Sequence, residues 1–144
     1  MTGRAMADDT LLSDAERARL AALAALMIPG DELMPGAAAL ALHGTPVDTV
    51  LRIDPTRIRP LRGFLALPGA VSSLAEVEAL AQRDPDGFAA LGVVLANAYF
   101  MHPDTRAAIG YPGQEARDSS AGLSDADLAL LAEVQARPGP ARDL

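Results

Sequence analysis

The side chains that could do chemistry in this chain are few. It has two histidines, His43 and His102, and no cysteine. Neither histidine has an imidazole three to five residues away, so no histidine pair can grip a metal from one helix. The lack of cysteine excludes disulfides, thiolate zinc sites, iron–sulfur ligation and a cysteine nucleophile. Carboxylates pair up as Asp31-Glu32, Asp84/Asp86 and Asp125/Asp127. The last two pairs sit at predicted helix starts, where negative charge suits the dipole. Asp31-Glu32 lies beside Pro29-Gly30 and reads as solvated turn residues. No G-x-S-x-G elbow presents a serine, and no glycine-rich loop could cradle a phosphate. No catalytic, cofactor-binding or metal-binding constellation emerges, so the expectation is a protein that is not itself an enzyme.

The rings are scarce but gathered. "YFMHPDTRAAIGYPGQEAR", residues 99 to 117, holds both tyrosines and one of the three phenylalanines. Tyr99 falls on the buried face of its helix by spacing. A helix turns about 100° per residue, so Phe100, Met101 and Tyr111 cannot all follow it inward. His102 precedes Pro103 at an extended junction, which suits a helix-end cap or surface histidine better than an acid–base group. Tyr111-Pro112-Gly113-Gln114 reads as a type II turn. Rigid aromatic and methionine side chains held by proline and glycine make good interface anchors. Phe100, Met101, His102, Tyr111, Pro112 and Gly113 are therefore the candidate partner-binding residues. The competing reading is that the rings seal a small core.

These residues need helices to position them. Ser13 with Glu16, and Ser73 with Glu76, form capping boxes that open two helices. The first carries Leu20, Leu23, Ala24 and Met27 at helical spacing and ends at Pro29-Gly30. An alanine-rich stretch before Gly44 predicts a short helix with Gly44 as its left-handed cap. Thr45-Pro46 and Asp54-Pro55 start further helices, with a break near Arg59 imposed by Pro60. Leu61, Phe64 and Leu65 form one stripe. A buried helix follows Asp84-Pro85, with Phe88, Leu91, Gly92, Leu95, Ala96 and Tyr99 on its inner face. Gly92 there would admit a close neighbour. The last helix runs from Ser124 to about Arg137. Nothing alternates with the period of a strand. The expected fold is all-α: one compact domain over 11–137, with six to eight mostly short helices in an orthogonal array. Residues 1–10 read as a frayed start and 138–144 as a tail.

Composition narrows the partners. Nineteen acidic residues against twelve basic ones give a net charge of −7. Such a surface repels phosphate backbones and anionic lipid, which argues against nucleic acid and membrane surfaces. "LAALAALMI" is well short of a membrane span. "MTGRAMADDT" turns acidic where a signal peptide would become apolar, and it lacks twin arginines. The expectation is a cytoplasmic protein, or a periplasmic one only if a partner carries the export signal.

"LSDAERARLAALAALMIPGDELMPGA" at 12 to 37 resembles the opening of the gluconate 2-dehydrogenase subunit 3 family, with its "L-(T/S)-x-x-E" helix, "I-P" with acidic residues and "P-G-A". "YFMHPDTRAAIGYPG" resembles the family's later signature, and "LALLAEVQARPG" its closing helix. The match follows the order of these motifs along nearly the whole chain. The resemblance implies a small accessory subunit of a large flavoprotein dehydrogenase or oxidase of the glucose–methanol–choline type, acting on sugars or other alcohols. It implies FAD in the partner and no cofactor in this chain. Many relatives carry a twin-arginine signal on this subunit, which this sequence lacks. A stand-alone small helical enzyme or ligand-binding protein is the alternative.

Overall fold

Ser13 accepts a hydrogen bond from the Glu16 amide while Glu16 reaches back to the Ser13 amide at 2.7 Å. That box opens the first helix of a computed structural model that describes residues 11–115 and 122–137. The described residues form seven α-helices and no strand, so the chain is all-α. They are α1 (Asp14–Met27), α2 (Thr45–Ile53), α3 (Ile58–Leu65), α4 (Leu74–Arg83), α5 (Pro85–Met101), α6 (Pro103–Ala108) and α7 (Asp125–Ala136). A 3₁₀ turn, Pro55–Arg57, leads into α3. The sequence reading placed one domain over 11–137; the helices fall into two compact units, one ending at Gly113 and the other beginning at Gln114. The expected frayed start and tail lie outside the described residues.

In the first unit α5 is the central element and touches α2, α3, α4 and α6. Leu20 and Leu23 of α1, Val47 and Leu51 of α2, Leu61 and Phe64 of α3, and Leu91, Val94 and Leu95 of α5 are fully buried in one cluster. Burying each such side chain contributes roughly 1.5–3 kcal/mol. Arginines tie the ends together. Arg17 on α1 grips the Asp48 carboxylate at 2.9 and 3.2 Å and the His43 carbonyl at 2.9 Å. Arg19 donates to the Leu67 and Gly69 carbonyls beyond α3, and Arg83 to the Pro68 carbonyl. These arginines thus satisfy carbonyls of the loops between helices, His43 before α2 and Leu67 to Gly69 after α3.

Three expectations need correction. The alanine-rich stretch before Gly44 is a run of turns, not a helix. Leu40 and Leu42 are both buried, and a helix would point residues two apart to nearly opposite sides. Ala41, at φ 47°, takes the left-handed step expected of Gly44, whose φ is −99°. The break expected near Arg59 is absent: the 3₁₀ turn passes into α3 through Arg57 and Ile58, both right-handed helical. Pro60 itself lies in the first turn of α3, where its missing N–H costs nothing.

The inner face of α5 is also rotated from the expected one. It comprises Gly87, Ala90, Leu91, Val94, Leu95, Ala98 and Tyr99, while Ala96 is exposed and Phe88 and Gly92 are half-buried. The close approach is at Gly87, where an added Cβ would stand 2.8 Å from the Phe64 Cβ. At Gly92 it would meet, among the described residues, nothing within 4 Å beyond its own helix backbone.

The second unit contains α7, opened by a capping box of Ser124 and Asp127. Leu123, Leu128, Leu130, Leu131 and Val134 are all exposed.

Two measurements check this account. Gly87→Ala should lower the stability of the purified chain by about 1–3 kcal/mol through overpacking. Gly92→Ala should raise it by roughly 0.5–1 kcal/mol, because alanine replaces glycine in a helix with open space around it. Denaturant titration followed by circular dichroism reads both. The second measurement uses acid. Donation from the Ser72 hydroxyl and the Ser72 and Ser73 amides holds the Glu76 carboxyl below its ordinary value of 4.5. A carboxyl depressed in the folded state stabilises above its ordinary value, and that contribution disappears as pH falls through the folded value. Melting temperature should therefore drop below about pH 4.5, and Glu76→Gln should show a shallower drop.

Candidate partner-docking surface

The sequence-predicted residues separate into two short segments. Phe100 and Met101 close α5 and are 56% and 47% exposed, beside a Tyr99 that is only 7% exposed. The inward tyrosine and outward neighbours follow the helical rotation. The Phe100 ring packs edge-on against Tyr99, with centroids 5.3 Å apart. His102 ends α5 by donating its amide to the Tyr99 carbonyl, and starts α6 by accepting the Asp104 amide at Nδ1, 3.2 Å away. Its role in this geometry is a cap. His43, the other imidazole, is half-buried, and its carbonyl is the group that Arg17 holds.

Tyr111 is half exposed, but it does not stand free. Its amide donates to the Arg106 carbonyl at 2.8 Å, and the Arg106 guanidinium lies 5.3 Å from its ring centroid. Such a cation–π contact holds the ring while leaving its edge open. Pro112 is exposed. Gly113, at φ 91°, has the positive angle that the third position of a type II turn requires.

The structure adds a segment outside the candidate partner-binding residues, the loop from Pro29 to Gly36, which the sequence reads as a turn. Asp31 is an exposed turn residue, as its place in the sequence implies. Its Oδ1 accepts the Met34 amide at 2.7 Å and the Leu33 amide at 2.8 Å, and these donors hold its carboxyl below the ordinary aspartate pKa. The Asp31 amide donates to the Met34 carbonyl, and the Ala37 amide to that of Ile28, which closes the base. The two Pro-Gly pairs meet there. An added Cβ at Gly36 would fall within 3.3 Å of the Gly30 amide nitrogen, and one at Gly30 within 2.7 Å of the Gly36 Cα. The Tyr99 hydroxyl donates to the Pro35 carbonyl at 2.9 Å. Leu33 sits at the tip of this braced loop, 82% exposed. The available signal was an aspartate two and three residues ahead of free amides, the pattern of an Asx turn.

One bond therefore joins "IPGDELMPGA" to "YFMH", and three apolar side chains, Leu33, Phe100 and Met101, are exposed on the segments it joins. Beside Met101 and His102 opens a mainly apolar groove of about 570 Å³, whose walls include Leu40, Ala41, Thr45 and Thr49. The start of α2 offers it little polarity, since Pro46 lacks an amide hydrogen and the Val47 amide is taken by the Leu42 carbonyl. Among the described residues no three His, Asp or Glu side chains are placed to hold a metal ion. Nor is any described helix long and apolar enough to cross a membrane.

The other carboxylate pairs serve helix ends. Asp84 accepts the Gly87 amide at 2.9 Å to cap α5, and Asp127 completes the box of α7. No family model, no curated protein and no solved structure matches this chain.

The brace can be tested by removing one oxygen. Tyr99→Phe leaves the Pro35 carbonyl without its donor, at a cost of about 1 kcal/mol. Amide hydrogen exchange at Leu33 and Met34 should quicken severalfold while the α2 and α3 core amides hold their protection. Unchanged exchange in the loop would show that the hydroxyl does not brace it.

Proposed function

We propose that the chain is a non-catalytic small subunit that binds and stabilises a large FAD-dependent dehydrogenase or oxidase of the glucose–methanol–choline type, acting on sugars or other alcohols. In this reading the flavin and the chemistry belong to the partner, and this chain supplies a preorganised surface. The observation that carries it is the Tyr99–Pro35 hydrogen bond. The segments that bear the resemblance to the gluconate 2-dehydrogenase subunit 3 family lie far apart in sequence, and this bond fastens them together. Leu33, Phe100 and Met101 then stand exposed on braced backbone, where little side-chain and loop ordering remains to be lost on binding. Apolar groups fixed in this way suit a protein partner.

The groove beside His102 favours a second reading, a small apolar ligand-binding protein. Its volume falls in the range of small-molecule pockets.

Co-expression with a large flavoprotein of this class from the same source distinguishes the two. The accessory reading expects a stable complex whose flavin absorbance belongs to the partner. The isolated chain should show no flavin spectrum and no oxidoreductase activity; stoichiometric flavin in it would refute the reading. Leu33→Asp and Tyr111→Ala should each weaken the complex at least about tenfold, the loss typical of interface anchors. Circular dichroism of the free variants should stay unchanged, because both side chains are at least half exposed. Normal binding by both variants would exclude this surface.

A further inference from the structure

His102 is the joint between α5 and α6, and the start of α6 depends on one of its nitrogens. Pro103 has no amide hydrogen, so the first free donor of α6 is the Asp104 amide. His102 Nδ1 accepts that amide at 3.2 Å, which leaves the ring proton on Nε2. A second partner is close by. The Asp104 carboxylate Oδ2 lies 3.9 Å from the same Nδ1.

The cap matters because α6 has little else to hold it. It has six residues, of which only Thr105 is buried. The Thr105 hydroxyl finds no hydrogen-bond partner among the described residues. A helix this short does not sustain itself. Yet it carries Arg106, whose carbonyl takes the Tyr111 amide at 2.8 Å and whose guanidinium lies 5.3 Å from the Tyr111 ring centroid.

We propose that His102 is a pH switch: protonation of its imidazole turns the Nδ1 cap of α6 from an acceptor into a donor and so loosens the Tyr111 turn that α6 holds. Histidine is the side chain whose charge ordinarily changes between pH 5 and 8. The His102 side chain is 21% exposed, enough for a solvent proton to reach it. A proton on Nδ1 faces the Asp104 amide hydrogen, donor against donor. The new charge also sits at the positive end of the helix. The ring then turns to the Asp104 carboxylate and leaves the amide unbonded. That ion pair does not replace the cap, because the carboxylate is 75% exposed and such pairs contribute little.

The surroundings do not override this exchange. Among the described residues Asp104 is the carboxylate within 4 Å of the ring. The Arg106 guanidinium is engaged with Tyr111. The groove that His102 shares with α2 and the turns before it brings no charge: its other lining residues, among them Leu40, Thr45 and Thr49, are uncharged. The switch is a property of the free chain, and only its effect on docking rests on the accessory role.

NMR of the free full chain between about pH 7.5 and about pH 5.5, the range in which histidine ordinarily titrates, tests it without a partner. The Asp104 amide shift should titrate with the midpoint of the His102 ring nitrogens. Exchange protection factors of the Ile109 and Tyr111 amides should fall about fivefold across the range, the scale of a lost N-cap, while those of the α5 core stay level. His102→Asn keeps a capping oxygen and does not titrate, so its protection should hold throughout. His43→Gln should still show the fall. An Asp104 amide that ignores the titration of His102 overturns the proposal, as does wild-type protection that is equal at both ends of the range. So does a fall that survives His102→Asn or disappears with His43→Gln.

Discussion

The hydrogen bond from the Tyr99 hydroxyl to the Pro35 carbonyl is the contact on which the outer surface of the first unit depends. Inward of it, Tyr99 belongs to the buried face of α5 and so inherits the rigidity of the core. Outward of it stand Leu33 on one segment and Phe100 on the other. A phenylalanine at 99 would fill the same volume but could not specify where the loop rests. The hydroxyl converts a generic apolar contact into a positional one, which is the usual use of a tyrosine whose ring is buried and whose oxygen finds a partner.

The rest of the unit holds α5 in place by economical means. The core is built of leucine and valine with few rings, so its helices must pack closely, and Gly87 lets α5 come against Phe64. Arginine side chains then close the helix ends against backbone carbonyls rather than forming surface ion pairs alone. Such bonds satisfy carbonyls of the connecting loops, which have no partner within a helix.

Much of this was legible in the sequence because it is local. Capping boxes at Ser13 and Ser73 need only residues three apart, and the structure has both; Ser124, read as a helix start, forms a third with Asp127. The stripe Leu61, Phe64 and Leu65 is likewise buried as its spacing implies. What escaped depends on the rest of the molecule. Alanine propensity favoured a helix before Gly44, but burial of both Leu40 and Leu42 outweighed it, and Ala41 took the unfavourable angle. The rotation of α5 was misjudged because apolar residues lie all round it, leaving no polar face to set the phase. That Phe100, Met101 and Tyr111 could not all lie inward followed from helical geometry, and all three are exposed. Leu33 was not so legible: the Asx pattern at Asp31 is local, but the brace from Tyr99 to Pro35 comes from 64 residues away.

The Tyr99–Pro35 contact also spans 64 residues of chain. Capping boxes and helical turns close over a few residues and form early, whereas a contact of this span must first overcome the entropy of a long loop. The order of events during folding follows. Helices can come and go while the chain is still searching, but Leu33 and Phe100 reach their fixed relation only when α1 through α5 have consolidated. The surface is therefore a readout of completed folding: an unfinished chain does not display it, and a binding protein that requires it would engage finished molecules alone.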